Sequence, residues 1–476
     1  MQKPSKHNIQ TFSAQFGKTL LVFSVLLAFS CRVKTPPKSE DLQEIAFTNF
    51  ALPSTWKSAP TDAVINDTTA VAQNWLGDFN DPVLDSLVAE ALRYNPDLLI
   101  GSSRIEQSEG YVALSKAALR PALNLLGRGG TNMAQDFSMG ITGVLLSASW
   151  EIDLWGKLRN AKAASIANYD ATVESYHAAQ LSIAAAVVRN WYNAAEIYQE
   201  LLLAQEMVKT NNQLADLAKK RFDIGIGNQI DYEIAKANLS STNDGLQKMQ
   251  LAYNNQIRAL EILIGRYPGA ELETTKNLAI IENEIPAGIP LQMLERRPDL
   301  KAAQKRFEAA FHKVEEAKAN RLPNLKLTAN FGELTSSFLN LKSDFENPVS
   351  GAGGIASFPI YQGGGIKASI AIRTSEQKQA VYEYSKVVLN AFNDVENALN
   401  STQILLQREK FLSSAVTSSQ KAFELEKQLY EVGKTDMRSV SQQQLSLYAS
   451  KLTLLRVQNE KITQRVNLYL ALGGSL

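Results

Sequence analysis

Hydrolytic or metal chemistry needs histidine, cysteine, aspartate or glutamate brought together, and this chain is poor in the first two: three His and one Cys in 476 residues. His7 lies in the N-terminal segment, and His177 and His312 fall in helical stretches, where a satisfied or solvated imidazole is the plain reading. Cys31 alone can form neither a disulfide framework nor a Cys-based metal site. The run Gly363-Gly364-Gly365 lacks the GxxxxGK[ST] context of a phosphate loop and reads as a tight strand-to-helix junction. With 49 basic and 48 acidic residues, no basic surplus points to nucleic acid. The sequence therefore predicts no enzyme, no cofactor and no metal. What remains is a set of polar residues around two glycine knuckles. Asp231 follows the first, and Tyr430, Lys434 and Arg438 surround the second. These groups either contact one another or are solvated tip residues; exposed ion pairs are worth only about 0.2–1 kcal/mol each.

Long helices must position these groups. Leu154–Arg221 contains no Pro and one Gly, Gly156 at its start. Roughly 70 helical residues make a rod of about 100 Å. The knuckle Phe222-Asp223-Ile224-Gly225-Ile226-Gly227 turns it, and Asp231–Ile264 returns to a Gly-terminated end at Gly265. The same hairpin recurs: Gln428 to Gly433 lines up with Lys220 to Gly225, and Gly473 with Gly265. Upstream, Asn95-Pro96-Asp97-Leu98 matches Arg297-Pro298-Asp299-Leu300, and Pro121-Ala122-Leu123-Asn124-Leu125 matches Pro323-Asn324-Leu325-Lys326-Leu327. The chain is a tandem duplication whose unit is far longer than a solenoid repeat.

The first repeat is expected over residues 81–266, with strands near 122–131 and 140–150 and long helices near 154–222 and 229–264. The second is expected over 297–476, with strands near 324–334 and 349–359 and helices near 365–430 and 437–472. Residues 267–296 form a linker rich in Pro and Gly, expected to hold turns or short strands. Polar loops, Thr131–Met139 and Thr335–Pro348, separate the strands. Asp153 is placed to cap the helix from Leu154, and Asp299 to favour the positive end of the helix opened by Pro298, beside Arg297. The long helices carry two apolar seams each, as in Val381, Tyr384, Val388, Ala391 with Phe392 and Leu399 beside them. Two seams mean two neighbours, as in the staves of a cylinder or in a solid bundle.

At the N-terminus, Lys3, Lys6 and Lys18 precede the apolar run Leu20–Ser30, too short to span a bilayer. Residues 1–30 read as a lipoprotein signal cleaved before Cys31, whose thiol would carry diacylglycerol and whose amine an acyl chain. Thr35–Pro60, with four Pro, reads as an extended tether from lipid to folded body, within a segment over residues 31–80 that holds the lipid-anchored tether and the N-terminal segment before the first repeat. The signal aside, no run is long enough for a transmembrane helix, so spanning would need a closed β-barrel. Alternation in Leu325, Leu327, Ala329 and Phe331 against Lys326, Thr328, Asn330 and Gly332 gives a strand with one apolar face. Four such strands cannot close, because single-chain bacterial barrels begin at about eight. Several copies must share one barrel, and three are preferred for a pore.

These residues resemble the TolC/OprM-type outer-membrane efflux channels, in particular the NodT-type lipoprotein branch, over Asp81–Gly473. The carriers are Glu295-Arg296-Arg297-Pro298-Asp299-Leu300, the junction Trp150-Glu151-Ile152-Asp153-Leu154-Trp155-Gly156-Lys157, the two knuckles and the lipidated N-terminus. The resemblance implies a mainly α fold in a homotrimer sharing a twelve-stranded outer-membrane barrel and a twelve-helix periplasmic α-barrel. It implies docking of the tips, with Gly225, Gly227 and Gly433, on a periplasmic adaptor and through it an inner-membrane pump of the resistance-nodulation-division type. Asp231 matches an acidic gate position of the family, whereas the acidic ring positions of the final helix are Ser439 and Gln442 here. The function implied is passive exit of small molecules, drugs or metal ions. A type I protein-secretion duct of the same fold and a non-conducting periplasmic scaffold are the alternatives.

Overall fold

The computed structural model describes residues 33–47, 55–58, 75–128, 141–279, 296–336, 341–342 and 348–474. In chain order these hold α1 (Ser39–Ala46), α2 (Pro82–Tyr94), α3 (Pro96–Ala117), β1 (Ala122–Arg128), β2 (Ile141–Ile152), α4 (Lys157–Asp223) and α5 (Gln229–Leu263). Then follow α6 (Pro298–Ala319), β3 (Asn324–Ser336), β4 (Leu341–Lys342), β5 (Val349–Ser357), α7 (Gly365–Glu431) and α8 (Met437–Ala471). Cys31 and the loop Thr131–Met139 lie outside the described residues. The duplication is metrically strict: α3 and α6 have 22 residues each, α4 and α7 have 67, α5 and α8 have 35. Equal lengths follow from equal punctuation, with Pro96 and Pro298 opening the first pair and glycines in left-handed backbone closing the others.

The elements depart from the sequence expectation in three places. The first long helix begins at Lys157 and not at Leu154, because Gly156 sits at φ +77° and interrupts the helical path. Asp153 still caps it, from further upstream, accepting from Leu158 N at 3.1 Å and Arg159 N at 2.8 Å. The segment read as an extended tether contains α1 and is docked: Leu42 and Trp56 are both buried. The expected polar loop after β3 contains β4, which pairs with Thr335 and Ser336. In the described part of the linker, residues 267–279, the chain bends at Ala270 and at 276–277, and Gly269 N donates to Tyr267 O at 2.8 Å.

Contacts divide the chain into two compact units, each drawing on both repeats. One comprises residues 1–48, 104–173 and 302–385 and contains the sheet. Its order is β1-β2-β3, with β4 and β5 both on the far side of β3, all antiparallel. Register sets Leu125, Leu146, Phe331 and Ser350 in one row, and Trp150 beside Leu327. That face carries Leu123, Leu125, Val144, Leu146, Trp150, Leu327 and Phe331, all exposed. The opposite face carries Asn124, Ser147, Ser149, Glu151, Lys326, Thr328 and Asn330. In the same unit α4 lies between two helices. Ser165 and Thr172 bond Ser115 and Ser108 of α3, and Asn160 bonds His312 of α6 at 3.1 Å. The Asn160 amide NH₂ donates to Gly156 O, so its oxygen accepts and the buried His312 keeps its proton on Nδ1. Burial holds the His312 pKa below the ordinary imidazole value. Trp150 and Trp155 donate to Leu119 O and Pro323 O, fastening the β2–α4 junction to α3 and to the start of β3. Ser385 of α7 donates to Ala46 O, and Phe47 packs on Tyr384.

The other unit comprises residues 49–103, 174–301 and 386–476. Trp75, Leu84, Leu87 and Val88 pack against Val188, Trp191 and Tyr192 of α4, Leu260 of α5, and Val466 and Tyr469 of α8. Each large apolar side chain buried this way contributes about 1.5–3 kcal/mol. Asp81 caps α2 through Val83 N and Leu84 N and also accepts from the Trp191 indole at 2.8 Å. Trp56 lies tilted against Phe392, ring centres 5.7 Å apart, and Glu396 accepts from Lys57 N and Ser58 N, both at 2.9 Å. The repeats share one joint with different chemistry. Asn95, preceding α3, donates to Leu263 O at 2.8 Å, and its counterpart Arg297 donates to Ala471 O at 3.2 Å. Arg297 also pairs with Asp299 at 2.8 Å and Asp394 at 3.4 Å. Asp299 accepts from Leu300 N, so it serves the helix start as expected.

Candidate functional site at the hairpin tips

Both knuckles close by the same bonds. Gly225 N reaches Phe222 O and Ile226 N reaches Arg221 O; Gly433 N reaches Tyr430 O and Lys434 N reaches Leu429 O. Gly225 and Gly433 have φ +77° and +78°, the left-handed conformation of a helix C-terminal glycine. The return helices are capped by Asn228, accepting from Ile230 N, and Asp436, accepting from Ser439 N. That last bond holds the Asp436 carboxyl below its ordinary pKa, helped by the nearby Arg438 charge. Ile224, Ile226 and Val432 are 69%, 64% and 68% exposed, so the tips present apolar side chains to whatever meets them.

Below the knuckles the two hairpins pack on Leu214, Ala218, Ala235, Tyr430, Met437 and Val440. Nearest the knuckles two side chains of the first hairpin reach backbone of the second, and below them Asn238 Nδ2 donates to Ser441 Oγ at 2.7 Å. Arg221 Nη1 donates to Tyr430 O at 2.9 Å and Glu431 O at 3.0 Å, with its guanidinium 5.1 Å from the Tyr430 ring centre. Asp231 accepts from Met437 N at 3.3 Å. A cation thus meets the C-terminus of α7 and an anion the N-terminus of α8, the favourable polarity at both helix ends. Tyr430 is buried, and its hydroxyl has no hydrogen-bond partner among the described residues. Burial first, and then the Asp231 charge, raise its pKa.

Within one protomer the Asp231 charge reaches Tyr430, while the basic side chains expected from sequence lie in other surroundings. Arg438 lies beside Asp436, and Lys434 and Gln442 are exposed. Ser439 uses its backbone N–H on Asp436. Arg221 is the residue that sequence reasoning missed. Its one signal was a basic side chain in the last turn of a helix, which does not say whose carbonyls it serves.

Comparison with known proteins agrees with this architecture. The sequence model described as "Outer membrane efflux protein" matches residues 87–266 and 289–474. The cation efflux system protein CusC of Escherichia coli K12 is 28% identical over 418 residues, covering 84% of this chain and 88% of its own. The pyoverdine export outer membrane protein OpmQ of Pseudomonas putida is 27% identical over 470 residues, covering 96% of each. The fold is shared with the Campylobacter jejuni CmeC outer membrane channel, with a TM-score of 0.82 at 20% identity over 94% of this chain and 95% of that one. With its family match spanning both repeats, this chain belongs to the outer membrane efflux proteins, which are channels of the outer membrane and not enzymes.

Proposed function

We propose that this protein is the exit channel of a tripartite efflux system, working as a homotrimer. Three copies of the sheet would close a twelve-stranded barrel in the outer membrane, and the long hairpins would form a twelve-helix tunnel. One observation carries this reading: a sheet with one exposed apolar face whose edge strands, β1 and β5, pair with one strand each among the described residues. A lipid-facing sheet must have every backbone group paired, so its edges must be closed by further copies. Among the described residues no helix is long and apolar enough to cross a membrane.

The tips, with Gly225, Gly227 and Gly433, would dock on a periplasmic adaptor and through it on an inner-membrane pump, of the resistance-nodulation-division type by family resemblance. Asp231, Tyr430 and Arg221 would hold the tip closed, with Lys434, Arg438, Ser439 and Gln442 at its rim. Cargo would be small molecules or metal ions. The relatives are named for cations and for pyoverdine, so the pump would set the substrate. Cys31 would carry the lipid anchor, and Cys31→Ser should abolish acyl labelling. The test is purification from membranes, with mass spectrometry of bound partners and single-channel recording. Absence of pores in planar bilayers, or an ABC transporter as the only pump recovered, would defeat the proposal.

A further inference from the structure

The contact between α4 and α8 holds two buried carboxylates and one cation. Glu196 and Glu200, one turn apart on α4, are 8% and 5% exposed. Arg456 of α8 donates its Nε to Glu200 at 3.1 Å and keeps most of its own side chain in solvent. Among the described residues Glu196 has no ion pair; its partner is the amide of Asn459, whose Nδ2 donates to Glu196 Oε2. Asn459 interrupts an apolar seam of α8, three residues before Ile462 and seven before Val466, and is itself buried. An ionised carboxylate buried without a cation is costly, and such a group takes up a proton instead.

Hydrogen-bond accounting leads to the same proton. Asn459 Oδ1 is buried and has no donor among the described residues. A carboxylate offers only acceptors and cannot supply one, whereas a carboxylic acid can. Acid and primary amide fit face to face. The acid O–H donates to the amide oxygen and the amide N–H to the acid carbonyl, in an eight-membered ring. One proton on Glu196 thus satisfies the orphaned oxygen and keeps the bond from Nδ2. The neighbouring charges agree. Glu200 on the same helix opposes a second negative charge, and Arg456 on α8 favours it less strongly. Tyr448 of α8 faces Glu200 and Arg456. Lys451 of α8 is engaged by Glu206 of α4 at 3.6 Å, and Lys461 by Glu409 of α7. Burial, the largest cause, and the Glu200 charge raise the Glu196 pKa above the ordinary glutamate value.

We infer that Glu196 carries a proton in the folded protein and clasps Asn459 through this two-point acid–amide pair, tying α4 to α8 and releasing them when the proton leaves. The clasp stands where the first hairpin meets the second, between the apolar cluster around Tyr192 and Ile462 and the one around Leu214 and Leu447 nearer the knuckles. A raised folded pKa sets its response to pH. The clasp is complete below the open-state pKa of about 4.3 and is lost as pH rises through the folded value. Within that window the equilibrium constant for local opening should climb about tenfold per pH unit. Acid therefore tightens the pair of hairpins and alkali loosens it.

The test is infrared spectroscopy of the full-length protein in membranes, titrated upward from the ordinary glutamate pKa of about 4.3. A carboxylic C=O band that persists after exposed glutamates have ionised, and that is absent from Glu196→Gln, is expected. Asn459→Ala should move this band to higher frequency by removing the amide N–H from the acid carbonyl. It also keeps the test alive should Glu196→Gln fail to fold, because the acid itself is untouched. Hydrogen exchange at residues 194–200 and 456–462 should rise more steeply with pH in the wild type than in Glu196→Gln, whose amide imitates the acid and does not titrate. The proposal is overturned if no acid band depends on Glu196, or if the band survives Glu196→Gln and disappears in Glu200→Gln, which places the proton on the other carboxylate. A band indifferent to Asn459→Ala would overturn the clasp, and equal pH slopes of exchange would overturn the release.

Discussion

The guanidinium of Arg221 closes the C-terminus of α7 in the opposite hairpin by donating to Tyr430 O at 2.9 Å while covering the Tyr430 ring. Hydrogen bonds from a charged donor contribute about 1.5–3 kcal/mol. Arg221→Ala should therefore expose the amides of residues 432–434 to hydrogen exchange, by about tenfold for each 1.4 kcal/mol lost. Arg221→Lys should recover little, because an ammonium cannot span two carbonyls and stack at once. Unchanged exchange in the alanine variant would mean that the contact contributes nothing to tip closure.

Asp231 and Arg438 serve different partners, Met437 N and Asp436 respectively. Asp231→Ala is expected to raise single-channel conductance and Arg438→Ala to change it little, with a near-additive double variant. The Asp231 effect should shrink at high salt, where exposed charges are already screened. A coupling above about 0.5 kcal/mol in a double-mutant cycle would contradict the independence of the two residues.

Glu261 is buried and accepts from Ala270 N, Glu271 N and Leu272 N at 2.7, 2.7 and 3.1 Å. Burial pushes its pKa up, but these three bonds and the Arg266 charge outweigh it, and the net direction is down. A depressed carboxylate contributes stability that is present above its unfolded pKa of about 4.3 and is lost as pH falls through the folded value. Exchange at residues 270–272 should accelerate only below that range. Glu261→Gln should remove the pH dependence and loosen the turn at neutral pH by about 1–3 kcal/mol.

Gly265 and Gly245 should respond oppositely to alanine. A Cβ at Gly265 would stand 2.7 Å from Tyr94 O in a backbone at φ +84°, whereas at Gly245 it meets nothing within 4 Å. Gly265→Ala should destabilise by at least the roughly 1–2 kcal/mol cost of left-handed backbone, and Gly245→Ala should stabilise by about 0.5–1 kcal/mol. Thermal unfolding of both variants in the same detergent decides the matter.

The helices and strands were legible because their punctuation is local: Pro at helix starts, glycine at knuckles, and alternation in Leu325 to Gly332. The start of α4 was misplaced because Gly156 breaks the helix while Asp153 caps it from a distance, a combination that propensity does not encode. The docking of Trp56 and Leu42 was hidden by a proline-rich composition that says nothing of long-range partners such as Phe392. At the tip, residue type and nearness in sequence singled out Lys434 and Arg438. The residue that reaches Tyr430 lies on the other hairpin, at a sequence separation of 209. Contacts of that kind are set by how the hairpins pack, which local pattern does not reveal.

The two sheet edges that have no partner among the described residues bear on how the protein is made. A lone chain in hydrocarbon would expose rows of unsatisfied N–H and C=O groups along β1 and β5, which a bilayer does not tolerate. In water the same edges, beside an apolar face, invite indiscriminate pairing. On the proposed multimeric barrel, insertion and ring closure would be one event whose rate rises steeply with the local supply of chains. Limiting expression should lower the yield of mature channels more than proportionally, leaving orphan protomers to proteases.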